Sequence, residues 1–169
     1  SYGKQSIDES DIKSVIEVLK SDWLTQGPKV LQFEDDLKIF FGSNYATSFS
    51  NGTAALHSVG YALGWTPGDV IITTPITFLA TANSILYSGA TPDFSDIDSR
   101  TFTIDPNKLE EKIKVNLKKG RKIKAVIAVD FAGNPCNWDS LKFLSDKYEI
   151  KLINDNCHSM GAKYLGEKQ

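Results

Sequence analysis

Four short stretches of this 169-residue chain carry side chains able to do chemistry together. The first is Ser50-Asn51-Gly52-Thr53-Ala54-Ala55-Leu56-His57, entered from an extended run, Tyr45-Ala46-Thr47-Ser48-Phe49, and left through a helical pattern of Leu56, Val59 and Leu63. Gly52 admits a tight turn that a Cβ would resist, and Thr53 sets a hydroxyl beside the unpaired first N–H groups of a helix. With the positive end of the helix dipole, that is chemistry for an anion, typically phosphate. The octet reads equally well as an ordinary capped strand-to-helix turn, and alone it does not separate the two. The other stretches are Thr77-Phe78, Asp130-Phe131 and Asp155-Asn156-Cys157-His158. A phosphate turn, an aromatic, a carboxylate and a histidine suit a phosphorylated aromatic ring.

The elements that must position these residues follow from periodicity. Asp8 to Ser10 cap a helix carrying Ile12, Val15, Ile16 and Leu19, and Pro28 opens a second with Val30, Phe33, Leu37 and Phe41, ended by Gly42. Between them, Ser21 to Gly27 form a loop holding Trp23-Leu24-Thr25-Gln26. Residues 1–42 are thus an N-terminal helical segment and 43–169 an α/β core. In the core, strands are expected at 70–73, 91–95, 125–129 and 151–153, and helices at 79–88, from Asp105-Pro106, and at 137–148. The alternation implies a mostly parallel sheet with flanking helices, whose ligands sit beyond the carboxyl ends of the strands. All four chemical stretches fall there. A GxGxxG run is absent, which disfavours a dinucleotide fold of that type.

Composition removes other classes. Net charge is −2 and the one basic run, Lys118-Lys119-Gly120-Arg121-Lys122, reads as a solvated loop, so nucleic acid is not an expected partner. No apolar stretch approaches membrane-spanning length, and the opening residues lack a signal-peptide pattern. Cys136 and Cys157 have no metal-ligand spacing, so no metal is expected, and two unpaired cysteines fit a reduced, cytoplasmic protein. Cys157 reads as a buried small hydrophobe and His57 as a residue of its own helix's surroundings.

Five motifs in order carry a resemblance: Ser21-Asp22-Trp23-Leu24-Thr25-Gln26-Gly27-Pro28, Asn51-Gly52-Thr53-Ala54-Ala55-Leu56, Thr74-Pro75-Ile76-Thr77-Phe78-Leu79-Ala80-Thr81-Ala82-Asn83, Gly89-Ala90-Thr91-Pro92, and Asn154-Asp155-Asn156-Cys157-His158-Ser159-Met160-Gly161-Ala162. They resemble the sugar-nucleotide aminotransferases of the DegT/DnrJ/EryC1/StrS family, over essentially the whole chain. The resemblance implies the large domain of an aspartate-aminotransferase-like (type I) fold, incomplete here, with pyridoxal phosphate (PLP) as cofactor. Tyr2-Gly3-Lys4-Gln5-Ser6-Ile7-Asp8 and Phe131-Ala132-Gly133-Asn134-Pro135-Cys136-Asn137 are similar to the branch serving pseudaminic acid synthesis. That branch moves an amino group from glutamate to a UDP-linked 4-keto-6-deoxy-N-acetylhexosamine.

By the same resemblance, Asp155 pairs with the pyridine nitrogen, Phe78 stacks on the ring, and Thr53 with the N–H groups of Gly52 and Ala54 holds the phosphate. His158 stands near the phenolic oxygen, and Trp23, Leu24, Thr25 and Gln26 border the substrate entrance. The family's Schiff-base lysine has no counterpart up to Gln169, and Lys163 and Lys168 follow Asp155 too closely to replace it. The chain is therefore expected to be the front part of a longer reading frame, inactive alone and prone to pair as a homodimer or other homo-oligomer. Two alternatives remain: a non-catalytic remnant binding phosphate or a nucleotide sugar, and a PLP-dependent sugar dehydratase of the same family.

Overall fold

The computed structural model describes residues 4–168; Tyr2 and Gly3 of the branch-like opening segment lie outside the described residues, as does Gln169. The backbone divides into two compact units, the first ending at Ser48 and the second beginning at Phe49. The division falls inside the extended run, a few residues past the helix stop at Gly42.

In the first unit, α1 (Glu9–Leu19) begins with a capping box. Asp8 Oδ1 accepts the N–H groups of Ser10 (2.8 Å) and Asp11 (3.2 Å), and Asp11 returns the bond to the Asp8 N–H at 2.9 Å. α2 (Pro28–Phe41) starts on its proline and stops at Gly42, whose φ of +64° suits glycine. Glu34 of α2 accepts both the N–H and the hydroxyl of Ser48 at 2.8 Å, which ties down the extended run. Tyr45–Phe49 pairs with no strand among the described residues. Neither helix has a buried residue.

The second unit is built on four parallel strands, β1 (Asp69–Thr73), β2 (Thr91–Phe94), β3 (Lys122–Val129) and β4 (Lys151–Asp155), in the order β2-β1-β3-β4. A small antiparallel hairpin, β5 (Lys163–Tyr164) with β6 (Glu167–Lys168), follows them; left-handed Leu165 and Gly166 form its turn. That hairpin is absent from the sequence expectation. So is the early start of β3, where Lys122 pairs with Asp69 at 3.2 Å and its charge masks the strand pattern.

Strand alternation sends side chains to two layers. Val70, Ile72, Val126 and Ala128 meet Leu109 and Ile113 of α5 (Pro106–Lys118) and Leu141 and Leu144 of α6 (Trp138–Tyr148). Ile71, Ala125 and Ile127 meet Leu56 of α3 (Gly52–Ala62) and Ala80 and Ile85 of α4 (Leu79–Tyr87). Ile71 and Ile72 are fully buried, and each such side chain stabilises the sheet by about 1.5–3 kcal/mol. No helix among the described residues is long and apolar enough to cross a membrane.

Candidate functional site

Beyond the carboxyl ends of β3 and β4, a pocket of about 290 Å³ opens between the N-termini of α3 and α4. Its wall gathers Gly52, Thr53, Phe78, Asp155 and His158, five of the residues singled out from sequence, with Asn51, Thr77, Phe131 and Cys157 among the others. Ala54 is not on the wall. Its N–H is accepted by Asn51 Oδ1 at 2.9 Å, because Asn51 is the N-cap of α3. The N–H groups of Gly52 and Thr53, and the Thr53 hydroxyl, have no hydrogen-bond partner among the described residues.

Gly52 earns its place differently from the sequence expectation. Its backbone is not left-handed; a Cβ built there would come within 2.9 Å of Cys157 Sγ. Glycine is needed so that the turn after β4 can close on the start of α3, which draws the two halves of the pocket together. Cys157 is correspondingly exposed and on the wall, where a buried hydrophobe was expected. Burial around the sulfur, with the neighbouring Asp155 carboxylate, pushes its thiol up to about 11.

The same pocket is lined by Asp155, the last residue of β4 and only 6% exposed. Asp155 Oδ2 accepts from the Thr81 hydroxyl at 2.7 Å, and Thr81 Oγ1 lies 2.7 Å from Thr77 Oγ1. A hydroxyl has one proton, so with Thr81 donating to Asp155, Thr77 must donate to Thr81. Asp155 Oδ1 receives only a long bond from the Cys157 N–H, at 3.4 Å. A carboxylate this buried therefore keeps acceptor capacity where it lines the pocket, and a cationic N–H would satisfy it.

Phe78 is the N-cap of α4 and is 72% exposed. His158 is exposed and sets its ring edge-on to Phe131, with centroids 6.2 Å apart. His57 stays off the wall, edge-on to Tyr87 at 5.2 Å. Asp130 belongs to the frame. Fully buried, it accepts from the Cys136 N–H (2.8 Å), Asn154 Nδ2 (3.2 Å) and the Ser159 hydroxyl (3.3 Å), tying together the loops that carry Phe131 and His158. Trp23, Leu24, Thr25 and Gln26 lie in the first unit, between α1 and α2, with Trp23 and Leu24 exposed. Thr81 is the residue the sequence reading missed. Its signal was there: Thr77 and Thr81 stand four apart, about one helical turn, across the start of α4.

The pocket can be matched against PLP. A phosphate needs N–H and hydroxyl donors at a helix N-terminus, which Gly52 and Thr53 supply. A pyridinium N–H needs a desolvated carboxylate, which Asp155 supplies. Phe78, an aromatic able to stack on the ring, lines the same pocket. The donor set fits. Among the described residues no lysine lines this pocket, and no group of side chains could hold a metal ion.

Comparison with known proteins gives the same picture from outside. The chain is 42% identical over 167 residues to a UDP-4-amino-4,6-dideoxy-N-acetyl-beta-L-altrosamine transaminase of Campylobacter jejuni, covering 99% of this chain and 43% of that protein. Helicobacter pylori PseC, an aminotransferase involved in the biosynthesis of pseudaminic acid, superposes with a TM-score of 0.88 at 35% identity, over 99% of this chain and 44% of that one. Spr1654 from Streptococcus pneumoniae, in its PLP form, superposes with a TM-score of 0.88 at 28% identity, over 100% and 45% of the two chains. The chain thus spans about two-fifths of the length of the curated relatives it matches. Its fold is the α/β fold of type I PLP-dependent aminotransferases, in part. Residues 5–169, pocket included, match one family throughout, and the chain belongs to the DegT/DnrJ/EryC1/StrS aminotransferase family.

Proposed function

We propose that this chain is the cofactor-holding part of a PLP-dependent sugar-nucleotide aminotransferase. Its substrates are glutamate and a UDP-linked 4-keto-6-deoxy-N-acetylhexosamine, in the making of a pseudaminic-type nonulosonic sugar. One observation carries the reading: a single pocket is lined both by unpartnered helix N-terminal donors and by a buried, under-satisfied carboxylate.

In this reading the N–H groups of Gly52 and Thr53 and the Thr53 hydroxyl hold the phosphate, with α3's dipole behind them; the sequence expectation of a third contact from Ala54 is met only if Asn51 lets go of that N–H. Phe78 offers its face to the ring. Asp155 accepts the pyridine N–H and keeps that nitrogen protonated, while the Thr77–Thr81 relay holds the carboxylate's other oxygen and fixes its plane. His158 stands near the phenolic oxygen. Bound there, PLP supplies an electron sink for the carbon that loses its proton during amino transfer. For Trp23, Leu24, Thr25 and Gln26 the proposal is a role in substrate entry, resting on family likeness. Two free thiols support a cytoplasmic location, and the exposed Ile12, Val15, Ile16 and Leu19 of α1 support a homodimer.

Because no lysine lines the pocket among the described residues, the chain by itself does not turn over. The test is the absorbance of the chain after PLP addition and gel filtration, then borohydride reduction and mass spectrometry. Retained absorbance without a covalent adduct, lost in Asp155→Ala, is expected. A specific adduct on Lys163 or Lys168, or no retention by the wild-type chain, overturns the reading.

A further inference from the structure

Between β2 and α5 the chain makes a tight turn whose closing residue is unexpected. The Asp98 N–H donates to Thr103 O at 3.0 Å, and the N–H groups of Thr101 and Phe102 return to Asp98 O at 3.2 and 2.8 Å. Arg100 grips the Asp98 side chain through Nε (3.2 Å) and Nη2 (2.7 Å) and so stiffens the tip. This pattern ends in a left-handed residue, where glycine or asparagine costs least. The residue here is Phe102, at φ +59°. A bulky side chain in that conformation is strained, and Phe102 is 48% exposed and outside both core clusters. Neither backbone preference nor core packing accounts for it.

The ring's position does. Phe102 lies 6.5 Å from Phe131, and Phe131 lies 6.2 Å from His158, so Phe102 adjoins a pair of rings that both line the pocket. Asn134 Nδ2 donates to Thr101 O at 3.1 Å and clamps the Phe102 turn to the Phe131 turn. The second turn also contains a left-handed non-glycine residue, Ala132 at φ +54°. Strain of this kind on two clamped loops beside a pocket marks residues held for contact with something that binds.

We propose that Phe102 is a specificity-determining residue, the outer stacking face for the flat apolar part of the nucleotide sugar. This rests on the substrate class proposed above. Uracil and the C–H face of the sugar share the chemistry, and two probes separate them. The PLP-loaded protein, wild type and with Phe102→Gly, Phe102→Asn and Phe102→Tyr, is titrated with UDP and with UDP-N-acetylglucosamine by calorimetry, and thermal midpoints are measured alongside.

Phe102→Gly and Phe102→Asn should hold the thermal midpoint at or above wild type, since both tolerate the left-handed backbone. Both should bind about three- to tenfold more weakly, the range expected for one aromatic stack, with Phe102→Tyr restoring affinity. Equal losses for both ligands assign the contact to the base, and a loss confined to the sugar-bearing ligand assigns it to the sugar. Unchanged affinity in the Gly and Asn variants, or a lowered midpoint with affinity intact, overturns the assignment. A wild-type protein that retains PLP but binds neither ligand overturns the substrate class, and this assignment with it.

Discussion

The two faces of the sheet are made from alternate residues of the same strands, yet one is scaffold and the other carries the proposed site. The difference shows in how their helices begin. On the scaffold face, Asp105 caps α5 by accepting the N–H groups of Asn107 (2.8 Å) and Lys108 (3.4 Å), and Asn137 caps α6 by accepting that of Ser140 (3.1 Å). On the site face, Asn51 takes one N–H of α3, and Phe78 at the start of α4 makes no side-chain cap at all. Both faces bury polar groups, Asn116 of α5 on one and Thr81 and Asp155 on the other; Asn116 is spent on Asp93 Oδ2 at 2.8 Å, whereas Asp155 lines the pocket. At the candidate site the N–H groups of Gly52 and Thr53 are open among the described residues and α4 starts without a side-chain cap, which leaves donors free for a ligand.

If the two faces are separable in this way, core damage on one should leave the chemistry of the other alone. Ile113 of α5 is 1% exposed in the scaffold cluster, and Ile113→Ala should cost about 2–5 kcal/mol in urea denaturation. PLP affinity of the folded fraction should not change. A parallel fall in affinity would break the comparison. On the site face, Gly52→Ala drives a Cβ toward Cys157 Sγ, an overpacking worth about 1–3 kcal/mol. Here PLP retention should fall with stability, and adding Cys157→Ala should restore both. Failure of that rescue would mean Gly52 is needed for a reason other than the approach of Cys157.

The caps give a finer test. Asp105→Ala and Asn51→Ala should each destabilise by about 1 kcal/mol, because each removes one side-chain cap. Only Asn51→Ala should alter PLP affinity. Equal effects of the two on affinity would show that α3's start is no more a ligand site than α5's.

How far the sequence anticipated this division depends on what each residue answers to. The β-branched run at 125–129 and the helical spacing of Leu109 and Ile113 reflect burial, which leaves a periodic trace, so the sheet and its scaffold helices were legible. Gly52, Thr53, Phe78, Asp155 and His158 were legible as a set because parallel strands must deliver their ends to one edge. The errors concern reasons that have no periodicity. Gly52 answers to a sulfur far along the chain, and the Ala54 N–H to the side chain of Asn51. Asp130 falls at the ligand edge of the sheet in sequence; three donors far apart in the chain, from Cys136, Asn154 and Ser159, make it a frame residue. Phe102 carried no signal at all, since only the backbone reveals that a phenylalanine occupies a position made for glycine.

The two cysteines offer the smallest and sharpest comparison, one on each face. Cys136 is fully buried in the scaffold cluster, and burial with the nearby Asp130 carboxylate raises its thiol further still. Cys157 is exposed on the pocket wall, its thiol raised to about 11 first by burial around the sulfur and then by Asp155. The thiolate is the species that alkylates, so a raised thiol means less of it at a given pH. Against an ordinary thiol near 9, iodoacetamide should modify Cys157 roughly a hundredfold more slowly at pH 8, with the rate climbing tenfold per pH unit until about pH 11. Asp155→Asn removes the second cause but not the first, so it should recover part of that factor. Cys136 should stay unmodified until the protein unfolds. PLP should slow Cys157 alone, because only that sulfur shares a wall with the pocket. Modification of Cys136 at a rate that PLP also lowers would join the two faces into one dynamic unit and end the distinction.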